Sequence, residues 1–523
     1  MRTRSGKVLV ADFETTVYEG QVNTEVWAAA CVELFTEDVK IFHSIGELFD
    51  YFASLESNIV CYFHNLKFDG SFWLSYLMDV LGWAQAMIVH GEDDIEFLKP
   101  REMPNNTFSY SISSMGQWYR ILIKYRNKII ELRDSLKLLP FTVEKIGKSF
   151  KTKHKKLDME YTGFRFAGCE ITEDEKKYIA NDVLVVKEAI EIMFQEGHKK
   201  LTIGSCCLAE YRQILGNKRF NELFPDVYEI PLDDSFGSPN VGKYINQSYR
   251  GGWCYLARGK EQQLKHNGTT ADVNSLYPSM MSSESGNTYP VGNPIFWRGD
   301  YIPEEANAYD KFYFVRFKTR FYLRPGKLPF IQIKNTLSYR SNEMLESSDR
   351  YNPADGKYYK EYYDVNGDLQ EARVVMTMTQ TDFKLFKEHY ELVDFEILDG
   401  CYFEARIGIF DEYIEKYKKI KLESTGARRE LAKLFLNNLY GKMASSPVSN
   451  FKIAYLKENG VVGFNTILAN DKKPGYIPVG SAITSYARCF TIRAAQANYH
   501  GPDKPGFIYA DIYDLSEHKE DIL

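Results

Sequence analysis

Apolar positions in the first third of the chain follow two different periods. Residues 7–11 (Lys-Val-Leu-Val-Ala) form a short apolar run, the pattern of a buried strand, and 27–35 read as its neighbour. Thr172 with Glu175 three residues later has the form of a capping box. Apolar Ile179, Val183, Val186, Ile190 and Met193 then predict a helix running to Gly197, a suitable C′ residue. A domain boundary is placed near Gly204, ahead of a polar stretch with Pro and Gly at 225–242. Beyond it, about 283–373 is rich in tyrosine with little periodicity, and Asn366-Gly367 marks a hairpin turn there. Residues 409–442 are helical in pattern, and 452–464 read as a second hairpin around Asn459-Gly460. No internal repeat or low-complexity segment is present.

Composition narrows the class. A chain of 523 residues can bury more than one core, and 44% hydrophobic with 26% charged residues is that of a globular protein. The net charge of −6 argues against a nucleic-acid partner only as an average, because the charge is segregated. Six lysines fall within 145–156, and 416–433 carries Lys416, Lys418, Lys419, Lys421, Arg428, Arg429 and Lys433. Phosphate binding needs such local grooves rather than a basic total. Eight cysteines show no CxxC pair, which points to a reducing compartment and not a disulfide framework. The basic N-terminus meets Asp12 too soon for a signal peptide or membrane span, so a cytoplasmic protein without a membrane role is expected.

Two sets of carboxylates carry candidate chemistry. Asp12 and Glu14 stand two apart at the end of the first strand and so leave it on one face. Asp69 closes His64-Asn65-Leu66-Lys67-Phe68-Asp69, and Tyr178 and Asp182 are four apart on the capped helix. Each acid alone is an ordinary cap or surface residue. Four brought together can hold two Mg²⁺ or Mn²⁺ ions for phosphodiester hydrolysis, with Tyr178 orienting the attacking water. In the second set, Asp272-Val273-Asn274-Ser275-Leu276-Tyr277-Pro278-Ser279 puts a carboxylate ahead of a turn and a tyrosine. Arg429, Lys433, Asn437 and Tyr440 recur at helical spacing, and Tyr509-Ala510-Asp511 lies near the end.

The DxE, NxxxD and YxxxD triplet resembles the three motifs of proofreading 3′–5′ exonucleases with an RNase H-like fold. DVNSLYPS, KLFLNNLYGK and YAD resemble motifs A, B and C of family B DNA polymerases, and Tyr249-Arg250-Gly251-Gly252 resembles the YxGG motif of their protein-primed branch, found in phi-29-type bacteriophages. The likeness covers essentially the whole chain. It implies an α/β and α+β multidomain fold: an RNase H-like exonuclease domain at 1–204, then a polymerase domain at 205–523. The latter would hold a palm, an insertion at about 283–373, fingers at about 409–446, a hairpin insertion at about 447–471 and a truncated palm end.

The same likeness implies roles. Asp12, Glu14, Asp69 and Asp182 would bind metal for hydrolysis, and Lys156 would match the exonuclease-site lysine. Asn65, Phe68, Ser135 and Leu136 would contact single-stranded DNA. Asp272, the Val273 carbonyl and Asp511 would hold two Mg²⁺ (or Mn²⁺) ions for synthesis from dNTPs. Tyr277 would lie under the incoming sugar, Arg429 and Lys433 would meet the triphosphate, and Asn437 and Tyr440 would line the nucleotide pocket. Tyr249, Arg250, Gly251, Gly252, Thr484 and Arg488 would touch primer-template DNA, with Lys416 and Lys421 as lesser candidates for template or priming protein. The insertions would dock a terminal protein and close round DNA, in a monomer or a heterodimer with the terminal protein.

The pattern breaks at its end. After Asp511 the family continues Thr-Asp-Ser, whereas here Ile512-Tyr513-Asp514 follows. Tyr513 thus stands in the register of the second aspartate, and a phenol is a poor ligand for a hard cation. The chain stops at Leu523, ahead of the expected thumb and primer-grip lysine. Weak or absent synthesis is therefore expected, with a DNA- and terminal-protein-binding factor or an exonuclease-only protein as alternatives.

Overall fold

In the computed structural model, the described residues are 6–510 apart from 16–19, 21–23, 91–94, 114, 160–163, 263–266, 333–343, 446–448, 459, 470–473 and 503. Asp511 and the altered stretch after it lie outside them. The chain forms two compact units. One comprises Met1–Glu210, Tyr417–Asn438 and Pro447–Lys472, and the other Tyr211–Lys416, Leu439–Ser446 and Lys473–Leu523. The division falls within the helix Ile203–Leu215.

The first unit contains, in chain order, β1 (Lys7–Thr15), β2 (Val26–Glu33), β3 (Lys40–Phe42), α1 (Ile45–Ser54), β4 (Ile59–Phe63), α2 (Leu66–Ser75), β5 (Ala84–Gln85), β6 (Thr107–Ile112), β7 (Trp118–Tyr125), β8 (Lys128–Asp134), α3 (Val143–Ser149) and α4 (Glu173–Gln195). Its eight strands form one mixed sheet in the order β3-β2-β1-β4-β8-β7-β6-β5. β1 runs antiparallel to β2 and parallel to β4, which in turn runs parallel to β8. β1 buries Leu9, Val10, Ala11 and Phe13 and leaves Asp12 and Glu14 half-buried, so both acids emerge from one face. Helix α4 packs on β1 and β2. Thr172 and Glu175 close the expected capping box at its start, and at its end Gly197 takes φ 85° while the His198 N–H donates to the Met193 carbonyl at 2.8 Å. Buried Lys128 caps the other end of the layer, donating to the carbonyls of Phe52 (2.9 Å), Ala53 (2.6 Å) and Leu55 at the C-terminus of α1.

The second unit holds a short helix, α5 (Leu276–Met281), and a four-stranded antiparallel sheet. Its strands are β9 (Tyr289–Arg298), β10 (Lys311–Leu323), β11 (Val374–Thr379) and β12 (Tyr390–Arg406), in the order β9-β12-β10-β11, with α6 (Gln380–His389) between the last two in sequence. This corrects the expectation of little regular structure over 283–373. Strands β9 and β10 lie inside that segment and supply Trp297, Val315, Phe317 and Phe321 to the core. The period-two pattern escaped notice because the register shifts at Val291/Ile295, Arg316/Phe317 and Lys318/Arg320, and each bulge flips the following side chains to the other face. The excursion proper is narrower. It comprises two small hairpins, Arg350–Asn352 with Lys357–Tyr359 and Glu361–Tyr363 with Leu369–Glu371, the latter turning at Gly367 as expected.

Helices α7 (Asp411–Glu423) and α8 (Ala427–Met443) break at Gly426, where φ is 61°. The hairpin β13 (Ser449–Leu456) and β14 (Val462–Ala469) joins the core of the first unit: the Ala454 N–H donates to the Tyr110 hydroxyl, and Phe464 meets Trp118 edge-on at 6.1 Å. Helix α9 (Ile477–Ala497) is buried along most of its length in the second unit. Among the described residues no helix is long and apolar enough to cross a membrane.

Candidate active sites

The first carboxylate set comes together within the first unit. Asp69 on α2 and Asp182 on α4 are almost fully buried, at 2% and 4% exposure. Burial pushes the Asp12 carboxyl well above its ordinary range, and repulsion from Asp69, Glu14 and Asp182 adds to the shift. Asp69 is raised in the same way, first by burial and then by Asp134 and Glu14. One oxygen of Asp69 and one of Asp182, Oδ1 in each case, is buried without a hydrogen-bond partner. Lys156 Nζ lies 3.0 Å from Asp182 Oδ2 and 5.9 Å from the centre of the Tyr178 ring. Burial pulls the Lys156 ammonium down, but its bond to Asp182 outweighs this and holds it above its ordinary range. Tyr178 is raised by burial and then by the Asp182 charge.

Hard, orphaned carboxylate oxygens beside several like charges suit an oxygen-seeking divalent cation. Among the described residues no three acids, histidines or cysteines close into a ready cation cage. The Asp182 oxygen that would help close one is instead held by Lys156.

The surrounding loops are fixed by a buried acid that the sequence did not single out. Asp134 Oδ1 accepts from the backbone N–H groups of Asn65 (3.1 Å), Leu66 (3.3 Å) and Leu136 (3.0 Å). It thereby joins the start of α2, where Asn65 has φ 72°, to the turn after β8. Asn65 and Phe68 are exposed and Leu136 half-buried around this junction. His64 is fastened beneath it, its ring between the Ser135 hydroxyl (2.9 Å) and the Phe141 carbonyl (2.7 Å), and burial lowers its pKa to about 4.

In the second unit Asp272 and Val273 lie in an exposed irregular segment, and Ser275 turns the chain through φ 56° into α5. Tyr277 stacks on Tyr440 with centroids 3.8 Å apart and planes at 16°, so the DVNSLYPS and NNLYGK segments meet through these rings. Along α8, Arg429 and Asn437 are exposed and Lys433 and Tyr440 half-buried, while Leu431, Ala432, Phe435 and Leu439 face inward. Lys433 pairs with Glu430 at 2.8 Å. Tyr509-Ala510 pairs with Tyr255-Leu256. The Arg488 guanidinium donates to the carbonyls of Arg250 (2.5 Å) and Gly251 (2.8 Å) and pairs with Asp382. Burial, and then the charge of Arg488, lower Arg250 from its usual value.

The family described as DNA polymerase type B, organellar and viral, matches residues 53–167 and 165–523. The DNA polymerase of Bacillus phage Nf is 37% identical over 501 residues, covering 95% of this chain and 78% of the relative. That of Streptococcus phage Cp-1 is 30% identical over 543 residues, covering 98% and 82%. A solved structure of phi29 DNA polymerase complexed with primer-template DNA and incoming nucleotide substrates is 34% identical, with a TM-score of 0.76 and coverage of 97% and 79%. The chain belongs to the type B DNA polymerases.

Type B polymerases are nucleotidyltransferases, and the mixed α/β architecture of this one is the expected class. Three expected DNA contacts are nevertheless committed elsewhere. Ser135, fully buried, donates to the Phe63 carbonyl at 3.0 Å. Thr484, 2% exposed, turns its hydroxyl to the Gly480 and Ser481 carbonyls at 3.2 Å. Arg488, 4% exposed, holds the Arg250-Gly251 turn. Each polar group is satisfied inside the protein: Ser135 and Arg488 hold loops, and Thr484 bonds its own helix. Lys416 lies near the middle of α7 and Lys421 in its last turn.

Proposed function

We propose that this type B polymerase carries a 3′–5′ exonuclease in its first unit beside DNA-directed synthesis. The observation that carries the exonuclease reading is the pair of orphaned, buried oxygens on Asp69 and Asp182 within a cluster of four acids. Two divalent cations, Mg²⁺ or Mn²⁺, held by Asp12, Glu14, Asp69 and Asp182 would supply Lewis-acid stabilisation of the attacking and leaving oxygens. Tyr178 orients the attacking water through its hydroxyl. Lys156 brings positive charge to the place where the phosphoryl group develops negative charge. Asn65, Phe68 and Leu136 receive the single strand, with Phe68 offering a face for a base to stack on. Degradation of a single-stranded oligonucleotide from its 3′ end tests this. Replacing Asp12 and Glu14 together by Ala abolishes it, and undiminished digestion by that variant would remove the site assignment.

For synthesis, Asp272, the Val273 carbonyl and Asp511 would hold two divalent cations, which would supply charge stabilisation for the transferring phosphoryl group. Arg429 and Lys433 would meet the triphosphate, Tyr277 would lie under the incoming sugar, Tyr440 would pack on the nascent base pair, and Asn437 would line the nucleotide pocket. The turn of Tyr249, Arg250, Gly251 and Gly252, of which Gly251 is exposed and the others half-buried, would meet the primer-template backbone. A terminal protein primes from its own hydroxyl and docks on the hairpins of 350–371, the chain acting in the host cytoplasm as a monomer or in that heterodimer. With Tyr513 read in the register of the second aspartate, the second reading is an exonuclease whose synthesis is crippled. Primer extension and primer degradation on one duplex separate the two.

A further inference from the structure

Lys156 sits in a stretch without regular secondary structure, 151–156, yet its ammonium meets Asp182 at hydrogen-bond distance. A side chain with four rotatable bonds on an untethered loop would not be held there by one exposed-edge ion pair. The tether comes from α4. Glu188 Oε2 accepts the backbone N–H groups of Lys153 (2.6 Å) and His154 (3.4 Å), and its Oε1 lies 2.5 Å from His154 Nδ1. The Asn181 side-chain amide donates to the Lys155 carbonyl. Asn181 and Glu188 are seven positions apart, two turns on one face of the helix that also carries Asp182. Lys155 cannot substitute for its neighbour, since its ammonium is bound by the Gly147 and Thr152 carbonyls, both at 2.5 Å.

We infer that Glu188, with His154 as its partner, is a positioning residue of the exonuclease site: it clamps the 153–156 loop on α4 and so fixes Lys156 against Asp182. The inference rests on the exonuclease reading above. Glu188 touches neither substrate nor cation. Its carboxylate gathers three donors from two successive residues, leaving only Lys155 between the clamp and Lys156.

The experiment uses the full chain with Mn²⁺ and a single-stranded oligonucleotide, and compares E188A, E188Q, K156A and E188A/K156A. Displacing a charged group by about an ångström costs on the order of ten- to a hundredfold. E188A is expected to lower kcat by that factor and leave KM nearly unchanged. E188Q keeps an oxygen for the two backbone donors and recovers most of the loss. On the K156A background, adding E188A costs less than about twofold more, because the two act as one unit. A second readout needs no catalysis: in the metal-free chain, an amine-reactive label followed by mass spectrometry attacks Lys156 faster in E188A, with Lys218 unchanged. If E188A fails to fold, E188Q and His154→Asn carry the same comparison. Parental kcat in E188A, a full multiplicative loss on K156A, or unchanged labelling of Lys156 would each overturn the inference. A parent chain that degrades no DNA overturns the exonuclease reading instead, and the labelling result still judges the clamp.

Discussion

Replacing Lys156 by Met keeps the aliphatic stem and removes the charge, which isolates what the ammonium contributes. Two unit charges about 3 Å apart attract by roughly 5.5 kcal/mol at an effective dielectric near 20. That gross figure does not survive solvent, because the Lys156 side chain is 37% exposed and exposed pairs retain only about 0–1 kcal/mol. Asp182 pulls the other way. It is 6% exposed with Oδ1 already unpartnered, and stripping the partner from a buried charge is costly. Between these limits the metal-free protein at neutral pH should lose about 1–2 kcal/mol, or roughly 2–8 °C in the melting of the first unit. Divalent cation should reverse the sign. The ammonium repels an incoming cation, so its removal tightens cation binding, and the stabilisation by Mn²⁺ grows as affinity rises. Lowering the pH should shrink the metal-free loss, since burial already raises Asp182 and protonation then relieves the uncompensated charge. Calorimetric melting in chelator and across a Mn²⁺ titration measures all three. Equal melting of the variant and parent in chelator, together with an equal Mn²⁺ shift, would refute the reasoning.

Three further outcomes follow from the geometry. The folded carboxyls of Asp12 and Asp69 are raised, so the metal-free fold binds more protons than the unfolded chain. Their contribution to stability is therefore fully present below the ordinary carboxylate pKa of about 4 and is lost as pH rises through the folded values. His64, lowered to about 4, works in the opposite sense over about 4–6.5, so the comparison is with D12N/D69N, whose denaturation in chelator should lose the carboxylate component and keep that of His64. Lys128→Met strips three carbonyls at the end of α1 of their donor and should destabilise the first unit by about 2–3 kcal/mol in denaturant titration, without altering cation affinity. Inserting Thr-Asp-Ser after Asp511 should raise primer extension well above that of the unaltered chain, and equal extension by both would show that the second aspartate is not what limits synthesis.

Elements governed by local rules were legible in the sequence. The capping box at Thr172 and the stop at Gly197 need no tertiary information, and neither does the Gly367 turn. The apolar run at 7–11 identified β1 because consecutive Leu9, Val10 and Ala11 are all buried, so the strand shows no polar alternation there. What escaped was long-range or irregular. Bulged strands β9 and β10 break their own period, and a buried lysine such as Lys128 reads as a surface residue until α1 presents its carbonyls. The boundary placed near Gly204 lies in the helix Ile203–Leu215, and the division between units falls further along that helix, at Glu210/Tyr211, because helix propensity is blind to which core each turn joins.

At the sites, residue type, spacing and the likeness to exonuclease motifs singled out Asp12, Glu14, Asp69 and Asp182 as candidates, and the fold brings their charges within reach of one another. Spacing on a strand and on a helix fixes the face each residue takes. It does not fix whether a polar side chain serves the DNA or the loop that meets the DNA. Ser135 and Arg488 belong to motifs expected to contact DNA, yet the first bonds Phe63 and the second holds Arg250 and Gly251. A hydroxyl or guanidinium satisfies an internal carbonyl as readily as a phosphate, and a loop that must meet DNA in one register has carbonyls of its own to satisfy. The same logic runs in reverse for Asp134 and Glu188. Neither looks catalytic, but each gathers three donors next to a group that does, and both would be missed by any search confined to residues able to reach substrate.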